Sequence, residues 1–383
     1  MIDIKSQIIK PALNLEDLRV VASAEGWGLT DLRSLGFFLN RNFKYRRAIT
    51  ITEQSGSDLT DYQVLIELNS TNFDFSHAQT NGEDIRFTDA SGNLLDYWIE
   101  EWDSVNESAK VWVKVPSIPA NSSVEIYMYY GNPSASSASD ASATFIRVID
   151  GLVGAWHFDE GSGNIAHDSS GNDNDGTITG AIWVNGKFGK ALEYDGDDEV
   201  SVPYDEVFNL TSEQSYELWL NTNYYPSYDE TSHGDYLLRV VYHRYLWIGT
   251  YTTDENYIEF MLNFENSSWT KIRKYGIPQN EWVHVIATYD GHAMRLYING
   301  VEEANKSVED TVVVGEQDVF IPPSGYHGML DEVRIYNKAL TGAEISDIYN
   351  NYGYTTENYP GKVLVRKYTE PEPSVSLGEE ETA

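Results

Sequence analysis

The chain contains no cysteine. Disulfides, thiolate metal sites and a cysteine nucleophile are thereby excluded, and cysteine usage leaves the redox compartment open. Basic residues are scarce: 26 Lys plus Arg face 60 Asp plus Glu, a formal charge of -34. Such a field repels phosphate backbones and anionic lipid, which argues against nucleic acid and membrane surfaces as partners. It suits a salty milieu, where ions screen the self-repulsion, and equally an ordinary acidic extracellular protein. No apolar run approaches the roughly 18 residues of a membrane span, so no membrane insertion is expected. Small residues at Val21 to Ala24 superficially offer a leader-cleavage site. Glu16, Asp17 and Arg19 stand where a leader needs an apolar core, so no signal peptide is expected.

Helical periodicity is also rare. Only "LTGAEISDIYNN" predicts a helix, with Thr341 and Glu344 at capping-box spacing and Ile345, Ile348 and Tyr349 on one face. What fills the chain instead is period-two alternation. "VLIEL" sets Val64, Ile66 and Leu68 on one face, "VWVKV" does the same with Val111, Val113 and Val115, and "MRLYINGVEEA" places Asn299-Gly300 as a hairpin turn between alternating runs. A chain of 383 residues exceeds the roughly 250 to 300 that one core supports. The expected class is all-β, with two antiparallel β-sandwich domains, at 43–146 and 147–352. Residues 1–42 form a short N-terminal arm, too apolar to be indifferent to a partner and too short for a core of its own, and so a candidate docking segment. Residues 353–383 give one strand candidate, Val363 and Val365, and an acidic Pro- and Glu-rich tail predicted to be disordered.

The blocks "GLVGAWHFDEGSGNIAHDSSGNDNDGTITG", "GKFGKALEYDGDDEVSVP", "EWVHVIATYDGHAMRLYINGV" and "GMLDEVRIYNKALTGAEISDIY" resemble, in order, the laminin G-like branch of concanavalin A-like domains, over about residues 148 to 350. The resemblance implies a two-sheet antiparallel jelly roll. "DIRFTDASGNLLDYWIEEW" and "AKVWVKVPSIPANSSVEIYMYYGNPSASSASD" resemble a domain family of unknown function often placed before laminin G-like domains in archaeal and bacterial surface proteins. That family supplies no chemistry.

Laminin G-like domains often hold one calcium ion between an early and a late acid. The resemblance therefore implies a structural Ca2+ among Asp159 or Asp168, Asp195 and Asp198, and Asp331. Calcium needs six to eight oxygens at about 2.4 Å, which Asp, Asn and loop carbonyls supply. The Asp-rich loop around Asp168 is not an EF-hand: with Gly176 at the sixth position, the twelfth falls on Ile182 rather than Glu. The alternative is that these acids only bind turn amides.

Sugar recognition uses aromatic faces, and 10 Trp and 27 Tyr are present. Most are expected as strand filler. The exception is the turn-rich stretch 221–236, whose Tyr224, Tyr225, Tyr228 and Tyr236 are the candidate ligand-binding residues. Glycosidases of this fold commonly carry E-x-D-x-E on one strand, and that triplet is absent here. Asp254, Glu255 and Glu259 miss the spacing, and Asp96 and Glu100 lie four apart in the domain without known chemistry. No G-x-S-x-G elbow occurs, and His157 and His284 fall within strands as structural histidines.

The expectation is a non-enzymatic protein, extracellular or on a virion surface, binding a cell-surface glycan or glycoprotein through its laminin G-like domain. As a tail fibre, spike or capsid decoration, in the acidic case of a halophilic archaeal virus, it would meet other virion subunits through residues 1–42. A homo-oligomer is expected, because multivalency makes weak sugar sites useful. The alternatives are an archaeal or bacterial adhesin and a polysaccharide-degrading enzyme.

Overall fold

The computed structural model describes residue 39 and residues 42–222, 235–240, 244–250, 256–323 and 325–382. Residues 1–38, 40 and 41 of the expected arm lie outside this set, as do Tyr224, Tyr225 and Tyr228. The fold is all-β, in two compact units: one runs up to Thr144 and adds Thr369–Ala383, and the other is Phe145–Tyr368.

In the first unit a five-stranded antiparallel sheet has the order Ser374–Thr382, Tyr45–Thr52, Ser123–Tyr130, Arg86–Asp89, Leu94–Leu95. A second sheet has the order Leu59–Asn69, Ser108–Ile118, Tyr97–Asp103. The alternating residues read from the sequence, Val64, Ile66 and Leu68 with Val111, Val113 and Val115, meet Ile49, Ile51, Ile126 and Met128 in one core.

The tail is not disordered. Ser374–Thr382 pairs antiparallel with Tyr45–Thr52, with Val375 and Leu377 packed against the core. Glu381 accepts from Arg46 at 2.6 Å, and Glu380 faces His77 Nδ1 at 3.0 Å and the Tyr130 hydroxyl at 2.8 Å. Composition averages over a short period-two run, which is why its Pro and Glu content hid a strand. Residues 352–366 likewise belong to the second unit, where Tyr352–Tyr354 and Lys362–Arg366 pair with each other and then with Arg147–Asp150.

The second unit packs two large antiparallel sheets over a common core. One has the order Ile165–Ala166, Gly176–Thr179, Glu199–Val202, Val319–Phe320, Asp235–Val240, Arg244–Thr250, Asn256–Phe264, Ser268–Tyr275. The other has the order Ile182–Asn185, Lys190–Asp195, His327–Tyr336, Glu213–Asn221, Val283–Asp290, Ala293–Ile298, Val301–Ser307, and Leu152–Trp156 also pairs with His327–Tyr336. Asn299 and Gly300 take φ of 51° and 78°, the positive values a type I′ hairpin turn requires.

The helix Gly342–Asn350 carries the expected capping box between Thr341 and Glu344. Its Ile345 and Ile348 cover the outer face of the second sheet together with Val363, Val365 and Leu152. That face is therefore dry, while the outer face of the first sheet has no such layer among the described residues.

Candidate functional site

The strands Arg244–Thr250, Asn256–Phe264 and Ser268–Tyr275 send Leu246, Ile258, Phe260, Leu262 and Ile272 into the core. Alternation then turns their other residues outward. Cross-strand pairing assembles these into rows. Ser201, Phe320, Arg239, Tyr245, Met261 and Lys271 lie opposite one another in succession. At about 4.8 Å between strands this row runs about 24 Å. Tyr236, Trp247, Glu259 and Arg273 form a second row, and Tyr257 with Tyr275 continues a third.

The aromatic rings touch across strands, with centroids 4.7 Å apart for Tyr236 and Trp247, 5.5 Å for Tyr245 and Trp269, and 5.7 Å for Tyr257 and Tyr275. Trp269 is 45% exposed and Tyr275 39%. Of this face only Tyr236 was expected from the sequence. The signal for the rest is that "RYLWIGT", "NYIEF" and "SWTKIRKY" carry rings on the half of the alternation that should be polar.

The five acids expected to bind metal separate into three places. Asp168 is buried, and both its oxygens are occupied: one accepts from the amides of Ala155 and Ser170, the other from the Ser170 hydroxyl and the Asn174 amide. It knots its own loop and has no lone pair to spare. Asp195 and Asp198 gather with Asp197, their carboxylates within 4.8 Å of one another, and Asp198 accepts from the Asp195 amide. Asp195 pairs with His327, four residues before Asp331, so the cluster stands roughly 13 Å down the strand from Asp331.

Asp159 and Asp331 do come together, through the turn at 186–190. Asp331 Oδ2 accepts from the amides of Lys187 and Phe188 at 2.7 and 3.1 Å, and Asp159 Oδ1 from that of Lys190 at 2.7 Å. Both glycines of this turn are required, because a Cβ on Gly186 would lie 2.6 Å from Asp331 Oδ2 and one on Gly189 2.2 Å from Asp159 Oδ1. Asp331 Oδ1 is buried with no hydrogen-bond partner.

Burial, then the neighbouring Glu332, and also Asp159 push the Asp331 carboxyl well above the usual carboxylate range. Asp159, at the exposed rim, is raised by desolvation and by Glu332. The Lys187 ammonium sits 4.5 Å over the Trp219 ring, and although Asp331 acts on it, desolvation lowers its pKa. A clustered, amide-anchored pair with one orphaned buried oxygen fits a hard divalent cation bound through oxygen.

The profile of the concanavalin A-like lectin/glucanase superfamily, in its laminin G-like form, matches residues 194–346. The second unit is a concanavalin A-like domain. A domain of unknown function (DUF2341) matches residues 81–166, in the order expected. Domain 4 of AbnA, an extracellular arabinanase from Geobacillus stearothermophilus solved with arabinotriose, is 25% identical, covering 52% of this chain and 98% of that one at a TM-score of 0.42. The binding domain of Paraclostridial Mosquitocidal Protein 1 is 18% identical, covering 52% of each chain at 0.43. The ligand-binding domain of botulinum neurotoxin serotype D, solved with N-acetylneuraminic acid, is 16% identical, covering 58% and 56% at 0.40. No curated protein matches the chain.

Behind its second sheet the concanavalin A-like domain buries an ion network. Opposite Leu218 the strand His327–Tyr336 carries two residues, Glu332 and Val333, a bulge in which Glu332 takes φ of 53°. The extra residue puts Asp331 and Glu332 side by side. Arg334 donates to Glu217 at 2.8 Å and also to Glu332. Glu217 further accepts from Tyr336 at 2.5 Å and meets His284 at 3.1 Å, and Glu332 holds His157 at 2.9 Å. Both histidines are thus tied to glutamates in structural pairs.

Of the carboxylates weighed as catalytic, Asp254 and Glu255 lie outside the described residues, and the others are each held by neighbouring side chains. Glu259 of the concanavalin A-like domain is held by Arg273 and faces Lys271 at 3.7 Å. In the first unit Glu100 accepts from the Trp112 indole, while exposed Asp96, outside the strand Tyr97–Asp103, faces Lys114.

Proposed function

We propose that the protein is a non-enzymatic surface-binding protein whose concanavalin A-like domain attaches to a cell-surface glycan or glycoprotein. One observation carries this: the outward aromatics Tyr236, Trp247, Trp269 and Tyr275, half-buried or exposed, which offer ring surface to pyranoses on a sheet with no covering layer among the described residues. Trp269→Ala lowers retention on the best-bound glycan about tenfold, as expected for an exposed aromatic anchor. Binding by array and turnover by product analysis are read together. Turnover of any glycan in the panel would sink the non-enzymatic reading, and retention untouched by the substitution would sink the site.

Asp159 and Asp331 hold a structural Ca2+ in this reading, supported by the orphaned Asp331 Oδ1. The finer assignment is a virus-particle subunit, a tail fibre, spike or capsid decoration, that docks through residues 1–42 and displays the domain outward. The apolar character of that segment supports it. Particles that incorporate protein lacking residues 1–42 at full occupancy would overturn it.

A further inference from the structure

The charge on the ligand face points the other way from the charge of the chain. Among the described side chains on the outward side of the four strands from Asp235–Val240 to Ser268–Tyr275, three cations, Arg239, Lys271 and Arg273, accompany one carboxylate, Glu259. The chain as a whole stands at -34. Glu259 is buried and shared, with Arg273 donating to it and Lys271 beside it, so it does not neutralise both.

Arg239 is the telling member. Its guanidinium lies 4.2 Å from the centroid of the Phe320 ring, and no carboxylate lies within ion-pair distance of it among the described residues. Its Nε is shielded from water and has no acceptor. A partly desolvated guanidinium whose Nε lacks an acceptor among the described residues is prepared for a planar anion that takes two parallel hydrogen bonds. Its cross-strand neighbour Tyr245 is buried, and half-buried Tyr236, on Arg239's own strand, stands 5.1 Å from Tyr245, so a ring stacked on Tyr236 would have its carboxylate within one sugar's reach of Arg239.

We infer that the ligand is a carboxylated pyranose, its carboxylate received by Arg239 and its ring stacked on the neighbouring aromatics. This rests on the glycan-binding reading above and narrows it. Repulsion from the rest of the acidic surface does not oppose it, because that field is screened over about 8 Å at physiological ionic strength while the guanidinium acts in contact.

Two matched pairs test the inference by calorimetric titration of the full chain: oligogalacturonate against its carboxyl-reduced form, and sialyllactose against lactose. The wild type binds the acidic member of at least one pair about tenfold more tightly than the neutral one. Arg239→Gln brings that ratio close to one. Arg239→Lys, which keeps the charge and loses the fork, lowers it in part and serves if the glutamine variant does not fold.

Equal affinity within both pairs, or a preference that survives Arg239→Gln, overturns the carboxylate assignment. In those cases the stacking reading still stands if Trp269→Ala weakens both members alike. Absence of binding to all four probes overturns the two readings together.

Discussion

Arg334→Met lowers the stability of the concanavalin A-like domain by about 3–5 kcal/mol and its thermal midpoint by roughly 10 °C. Arg334 is 1% exposed and bridges two carboxylates, those of Glu217 and Glu332, which are themselves buried. Methionine fills much of the volume, so the loss is electrostatic: two carboxylates remain in low dielectric, one leaning on His284 and the other on His157.

The pH dependence has a definite sign. Arg334, His284 and Tyr336 outweigh desolvation and hold Glu217 at about 2, below its usual value of 4.5. The folded state binds fewer protons there, so this contribution is fully present above pH 4.5 and is lost as pH falls toward 2. In the variant the largest attraction is gone while desolvation, His284 and Tyr336 remain, so Glu217 is held less far below its usual value and the variant loses less stability on acidification than the wild type. Chemical unfolding curves at several pH values would show the two slopes. A loss below about 1 kcal/mol with unchanged slopes would mean that the pairs contribute little net energy, as exposed pairs do.

Much of the fold is visible in local sequence because the relevant signals are local. Period-two alternation at Val64, Ile66 and Leu68, the two positive-φ residues at Asn299-Gly300 and the reciprocal Thr341–Glu344 cap each depend on a few consecutive residues. The ligand face is different in kind. "RYLWIGT" is apolar on both faces, with Leu246 in the core and Tyr245 and Trp247 outward, and nothing within the strand says which face is dry. Only its pairing with Asn256–Phe264 lines Trp247 up with Glu259.

The carboxylates teach the same lesson. An Asp in a Gly- and Asn-rich loop has one composition whether it binds a cation or turn amides, and Asp168 proves to bind amides. Asp331 is distinguished by the bulge after it and by a turn 140 or more residues earlier in the chain, whose amides meet one oxygen and leave the other bare.

Calcium raises the thermal midpoint of the wild type, and Asp331→Asn abolishes that response while stabilising the chelated protein. At a hundredfold excess over Kd a bound ion adds about 2.7 kcal/mol, roughly 5–10 °C for a domain of this size. Without the ion, Asp331 and Asp159 have raised pKa values, so the folded state binds more protons than the unfolded one above pH 3.8. Their contribution to stability therefore falls as pH rises through the window between 3.8 and their raised values, the reverse of Glu217. Calcium, by favouring the ionised carboxylates, removes this fall, so its effect grows with pH over the same window. Asparagine keeps an oxygen for the amides of Lys187 and Phe188 and carries no charge, which is why the chelated variant gains. Asp168→Asn, by contrast, leaves the calcium response in place, because that carboxylate is occupied by its own loop. A wild-type midpoint identical in chelator and in millimolar calcium across the pH range would remove the ion from the site and leave the two carboxyls as anchors for the amides of the turn at 186–190.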